Sequence, residues 1–290
     1  MTAWCNIMRS SDRVRNNFVS VNNKVPPIYG LRKDHKAYDD PREGPPTRPI
    51  CGAKIASSRK ISNFLSMILK PFLKASPTSC ESTEDLQSQV NLANSTGKLD
   101  KAIIGSMDAK ALYPSLDVDF AVEKCLEIIM ESDAEFNNID TDELGLFIAL
   151  TSMNDNPVPT AVQNVCPTRL KRQGKPTLTG TTMGKNYEGR WSGWQKCERK
   201  PNSSKQIREM VTFALGITLR TVLKKHIYTF NSKCYKQSEG GAIGVAVAGD
   251  VAVLFMSWWD RQLLQRLSQE HFTTHLYSRY VDDINILVDA

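Results

Sequence analysis

Tyr280-Val281-Asp282-Asp283 breaks a stretch that is otherwise apolar and β-branched, from His275-Leu276-Tyr277 before it to Ile284-Asn285-Ile286-Leu287-Val288 after it. The flanks have the composition of strands. The expected local structure is therefore a hairpin whose tip holds two adjacent carboxylates close to a low-dielectric core. Unpaired charge in such a place is costly. A divalent cation removes the cost, because Mg²⁺ takes hard oxygen ligands, commonly one or two carboxylates, and completes its shell with phosphates. A third carboxylate is available at Asp108, which ends the run Ala102-Ile103-Ile104-Gly105-Ser106-Met107 and precedes Ala109-Lys110-Ala111-Leu112-Tyr113-Pro114. Each residue also has a plainer reading: Asp-Asp as a solvated turn, Asp108 as the cap of the next helix. The three together carry the argument.

A strand that delivers one Asp and a hairpin that delivers two can hold two metal ions. Such sites stabilise both the attacking and the leaving oxygen of an in-line phosphoryl displacement, the chemistry of polymerases and nucleases. Further residues fit that frame. Tyr280-Val281-Asp282-Asp283, together with Asp108 and the Tyr five residues after it, resembles the palm signature of reverse transcriptases. Gln237-Ser238-Glu239-Gly240-Gly241-Ala242-Ile243-Gly244 resembles the second palm motif and falls between the other two. Pro27-Ile28-Tyr29-Gly30-Leu31-Arg32-Lys33-Asp34-His35-Lys36 and Arg48-Pro49-Ile50 resemble the fingers of Penelope-like retroelement reverse transcriptases. The likeness runs from about residue 26 to the end, except for one inserted segment.

The resemblance implies an α+β fold, a right-hand polymerase palm of antiparallel sheet and packed helices with a fingers subdomain. It implies RNA-directed DNA synthesis, with Asp108 and Asp282 as chief ligands of two Mg²⁺, Asp283 as a weaker one, and Mn²⁺ able to substitute. Arg48 and Lys33 would hold the triphosphate. Tyr113 would lie beneath the incoming sugar and exclude a 2′-hydroxyl by bulk, and Gln237, Gly240 and Gly241 would shape the nucleotide pocket. The implied partners are an RNA template, a DNA primer and deoxynucleotides. One departure stands out: where the family commonly has Ser-Pro pairs after the glycines, this chain has Val245-Ala246-Val247-Ala248-Gly249. The sequence ends seven residues after Asp283, so the thumb is expected to be missing. The alternative is an inactive remnant that only binds nucleic acid; an RNA-templated RNA polymerase is a third reading, against which Tyr113 argues.

Composition sets the limits. With 290 residues and 41% hydrophobic content the chain can bury a sizeable core. Its seven Cys form no Cys-x-x-Cys pair, so neither a zinc ribbon nor a disulfide framework is indicated. No apolar run is long enough for a signal peptide or a membrane span, and an intracellular setting, nucleus or cytoplasm, is expected. The net charge of +6 is segregated: +9 over residues 1–74, −11 over 75–150, +7 over 151–210 and +1 over 211–290. Basic blocks around an acidic segment suit a protein whose nucleic acid lies on cations and whose metal lies on acids.

Five segments follow: a basic N-terminal arm or short helix over 1–25, fingers over 26–100, the first part of the palm over 101–150, a basic insertion over 151–206, and the second part of the palm over 207–290. Ser57-Ser58 are expected to cap a helix that Pro71 interrupts, with Arg59 and Lys60 at its start near nucleic acid, as is Lys36. Ser82 opens a second helix, Asp117 a third, and Gln206 and Val245 two longer ones. Ile227–Phe230 and Cys234–Gln237 form a hairpin through a polar turn. The insertion is Gly- and Pro-punctuated; it is read as partly disordered, with Trp191 and Trp194 as a stacking platform for single-stranded bases in the other reading.

Overall fold

The computed structural model describes residues 2–9, 24–33, 44–53, 56, 58–96, 99, 102–136, 139–151, 168–169, 194–195, 201, 203–224 and 226–289. Lys36, Trp191, most of the N-terminal arm and most of the insertion lie outside them. The chain divides into two compact units, one of Met1–Val21 and Glu135–Leu219, the other of Asn22–Ala134 and Arg220–Ala290.

In the first unit, helix α1 (Thr2–Ile7) takes the helical alternative for the arm. Trp4, Cys5 and Ile7 are buried. The Trp4 indole donates to Thr218 Oγ1 at 3.1 Å and its ring lies 5.7 Å from that of Phe147.

The second unit contains the hairpin of β1 (Ile28–Arg32) and β2 (Thr47–Cys51), then helices α2 (Arg59–Lys74) and α3 (Thr83–Ser95). Strand β3 (Ile103–Asp108) leads through the short helix α4 (Leu112–Ser115) into α5 (Val118–Glu131). After α6 (Thr141–Thr151) and two-residue strands β4 (Thr168–Arg169) and β5 (Trp194–Gln195), both belonging to the first unit, helix α7 (Ser204–Lys224) leads back to the second. There follow hairpin β6 (Ile227–Phe230) and β7 (Lys233–Lys236), helix α8 (Ala246–Gln269), and the pair β8 (Thr273–Tyr280) and β9 (Asp283–Asp289).

Two expectations about α2 need correction. Ser58 adopts helical angles and makes no side-chain cap bond, and Pro71 does not interrupt the helix, which runs on to Lys74. A proline one turn from the end forfeits a single backbone bond, and the extra turn buries Phe72, an aromatic worth a few kcal/mol inside (about 3–5 on truncation). The caps of α3 and α5 form as the sequence indicates: Ser82 Oγ accepts from the Asp85 N–H, and the Asp117 carboxylate from the N–H groups of Asp119 and Phe120.

The central sheet is antiparallel in the order β3-β9-β8. Strand alternation sends Ile284 and Ile286 of β9 to one face, where both are buried and Ile284 joins Leu112, Ala252 and Met256. The other face carries Ser106 opposite Asn285, and Asp108 opposite Asp283. Helix α8 packs against α2, α5 and β8, which fixes the sheet from its apolar side. Among the described residues no helix is long and apolar enough to cross a membrane.

Candidate active site

The hairpin tip is tighter than the sequence suggests. Tyr280 ends β8 and Asp283 already begins β9, leaving Val281 and Asp282 as the turn. Asp283 is paired with Tyr280 on one side and with Asp108 on the other. Like charges directly opposite one another in a sheet repel. Val281 takes φ 58°, a left-handed conformation that a β-branched residue enters at a cost of about 1–3 kcal/mol. One oxygen from each of Asp108, Asp282 and Asp283 lies within 4.8 Å of the others. Asp108 and Asp283 are exposed and Asp282 is half-buried, so the cluster opens to solvent. Three carboxylates converging in this way are the donor set that hard divalent cations take.

Burial holds the Asp282 carboxyl above its usual range; the charges of Asp283 and Asp108 add to that, while a backbone hydrogen bond and Arg48 oppose it. Arg48, exposed on β2, thus lies within electrostatic reach of the cluster, and it acts on Tyr113 as well. The Tyr113 phenol is raised by burial first and then by Asp282 and Asp250. Its ring leans on α8, with the hydroxyl 3.7 Å from where a Cβ on Gly249 would be. The left-handed Ala111 (φ 55°) makes the turn that swings Tyr113 there. Asp108, Asp282, Asp283, Tyr113 and Arg48 are therefore one constellation. Lys33 stands just beyond β1, its N–H donating to the Pro46 carbonyl at 2.9 Å, and Arg59 and Lys60 form the first turn of α2. Trp194 starts β5.

The glycine-rich motif serves the chain's own backbone first. Gly240 has φ +74° and a Cβ there would be 2.5 Å from the Pro114 carbonyl oxygen. The Gly241 N–H donates to the Tyr113 carbonyl at 2.7 Å. The space beside Gly240 is taken by the turn after Asp108. Gln237 donates from its amide to the carbonyls of Glu239 and Gly240, at 3.0 and 2.6 Å, and so closes the loop on itself. It also lines, with Ser115, Asp117, Lys224 and Gly240, a cavity of about 400 Å³. Cys51 N–H donates to the Ile243 carbonyl at 2.8 Å, and the Cys51 thiol meets His226 Nε2 at 2.8 Å. Burial pushes that thiol up to about 11 and the imidazole down, so both are neutral and the contact is a structural tie rather than an activated nucleophile.

Sequence reasoning passed over Asp250, Asp260 and Arg279. Asp250, on the first turns of α8, is held above its usual range by burial in spite of Ser66 and Lys70, and one of its oxygens has no partner among the described residues. Asp260 and Arg279 are fully buried and paired. The available signal was an acid directly after Trp258-Trp259 in a largely apolar helix and a lone Arg among strand residues; two buried opposite charges have to find one another.

A three-stranded antiparallel sheet backed by helices, with Asp108 on one strand and Asp282-Asp283 on the neighbouring hairpin, makes a mixed α+β fold. Among solved structures the chain is similar to telomerase from Candida albicans in complex with a fragment of telomeric RNA, with a TM-score of 0.50 at 13% identity over 92% of this chain and 38% of that one. It is also similar to apo telomerase from Candida tropicalis, with a TM-score of 0.46 at 12% identity over 97% of this chain and 44% of that one. The chain therefore spans less than half the length of either. At 13% identity the first likeness is one of fold alone. No protein-family model and no curated protein matches the chain.

Proposed function

We propose that this chain carries the fingers and palm of an RNA-directed DNA polymerase, and that its family is that of the Penelope-like retroelement reverse transcriptases. The observation that carries the reading is the convergence of Asp108, Asp282 and Asp283 within 4.8 Å beside Tyr113 and within reach of Arg48. The Penelope-like assignment rests on residues 27–36 and 48–50 of the sequence.

In the reaction a primer 3′-oxygen forms a bond to the α-phosphorus of a deoxynucleotide, the bond to pyrophosphate breaks, and the hydroxyl proton leaves to solvent. Two Mg²⁺, when bound, would stabilise the attacking and the leaving oxygen. Asp108 and Asp282 would be the chief ligands and Asp283 the weaker one. Arg48 would balance charge on the triphosphate; an Arg fork matches phosphate geometry and acts more strongly where water is thin. Tyr113, already half-buried against α8, has little freedom to move aside for a 2′-hydroxyl.

The direct test is primer extension on an RNA template with Mg²⁺ or Mn²⁺, beside Asp108→Ala. Deoxynucleotide incorporation that the substitution abolishes is the expected result. Template binding without incorporation, at any metal concentration, would instead favour a nucleic-acid-binding protein without turnover. Tyr113→Val should raise ribonucleotide use relative to deoxynucleotide use by on the order of 10²-fold, the scale on which a filled pocket discriminates by bulk. Competition between the two substrates measures it, and an unchanged ratio would remove Tyr113 from sugar selection.

A further inference from the structure

We propose that Arg279, with Asp260 as its counter-ion, is a positioning residue that fixes the Val281-Asp282 turn in the geometry a divalent cation requires. The proposal rests on reading the carboxylate cluster as a metal centre. Three ionised carboxylates only accept hydrogen bonds and repel one another, so they cannot keep their own spacing. Something behind them has to.

Arg279 and Tyr277 alternate with Tyr280 along β8 and face α8. The guanidinium is fully buried. Its Nε donates to both Asp260 oxygens, at 3.0 and 2.8 Å. Nη2 donates to Ser257 Oγ at 3.0 Å and to the Val253 carbonyl at 3.2 Å, and Nη1 donates to the carbonyl of Val281 at 2.9 Å. Asp260 is held in turn by the Tyr277 and Thr78 hydroxyls, each donating at 2.6 Å. The planar fork is thus anchored on a 24-residue helix at three points and reaches the turn at a fourth. A lysine, with a single point charge, cannot span these directions at once.

The turn needs such a hold. Val281 is in the left-handed region, a conformation that persists only where its surroundings over-determine it. Two bonds do so: Nη1 of Arg279 to the Val281 carbonyl, and the Ala109 N–H to the Asp282 carbonyl at 3.1 Å. The second joins the turn to the residue after Asp108. The acids on β3 and on the hairpin are therefore referenced to each other through the Ala109–Asp282 backbone bond, in a turn that the Arg279 side chain holds at the Val281 carbonyl.

The test is Arg279→Lys, which keeps a charge opposite Asp260 and loses the reach to Val281. In metal-free protein the Ala109 amide should exchange about tenfold faster, with the amides of central strand β9 unchanged, and Mn²⁺ affinity should fall about tenfold, the usual scale for residues that orient metal ligands. Should that variant fail to fold, Ser257→Ala removes one acceptor of the same guanidinium and leaves the ion pair; faster exchange at Ala109 is again expected. A folded variant with wild-type exchange at Ala109 and wild-type Mn²⁺ affinity overturns the proposal. Wild-type protein that binds no Mn²⁺ overturns the metal reading and this proposal with it, and is told apart because exchange at Ala109 is read without metal.

Discussion

Asp282→Asn is expected to reduce nucleotide incorporation by on the order of 10³-fold, about 4 kcal/mol of barrier, while leaving the fold intact. The amide is the same shape as the carboxylate but brings no charge to the cation, and the remaining acids, Asp108 and Asp283, face each other across β3 and β9. The same substitution should not lower the melting temperature in EDTA at pH 7. Burial, then Asp283 and Asp108, raise the Asp282 carboxyl in the folded chain. Between the unfolded value of about 3.9 and that raised value the folded state binds more protons than the unfolded one, so stability falls as pH rises through the interval. Above it the cost is fully present, and asparagine removes it. Below about pH 4 wild type and variant should melt alike, apart from any difference in packing. Mg²⁺ should then stabilise the wild type and not the variant, because only a ligand bound by the folded state shifts the equilibrium. Primer extension and thermal melting with and without Mg²⁺ measure both halves. Undiminished extension would sink the assignment of Asp282; a variant that melts far below wild type in EDTA would mean that the residue serves the fold.

The strands and helices around this site were legible because their signals are local. Ser82 and Asp117 cap the helices their positions announce, and Ile284 and Ile286 alternate with polar partners as a half-buried strand requires. The three carboxylates were legible as a group because an acidic pair inside β-branched sequence has few cheap explanations. What was not legible is what depends on long-range pairing. Asp260 and Arg279 are nineteen residues apart and on different elements, and neither has a pattern until α8 and β8 are packed. The Cys51 contact to His226 joins residues 175 apart. Lys33 and Arg48 look equivalent in sequence as cations on adjacent strands; only the register of Leu31 opposite Arg48 separates the residue within the β1-β2 pairing from the one beyond it.

The glycines after Gln237 show where a motif and its physics part, and they carry the second large effect. The resemblance implies that Gly240 and Gly241 shape the nucleotide pocket. In the structure the tightest positions are Gly240 and Gly244, and the neighbour in each case is protein backbone. Gly244 has φ +105°, which side chains rarely adopt, and a Cβ there would fall on the Cys51 carbonyl oxygen. Cys51 is the last residue of β2 and gives its N–H to the Ile243 carbonyl, so relief by moving β2 would break that bond and displace Arg48 three residues earlier. Gly244→Ala should therefore cost on the order of 3 kcal/mol, from strain and overpacking together, a melting shift of about 6–12 °C. Gly241→Ala is the control within the same motif: a Cβ there meets Leu116 Cδ2 at 3.6 Å, ordinary contact, without a positive φ. Its effect should stay within about 1 kcal/mol. Both are read by thermal melting without nucleotide or template. Equal melting of the two variants would mean that the backbone junction at Cys51 does not constrain Gly244. A large gap, with residual incorporation reduced in Gly244→Ala as Arg48 shifts, would mean that the motif acts on the nucleotide through the strand it locks.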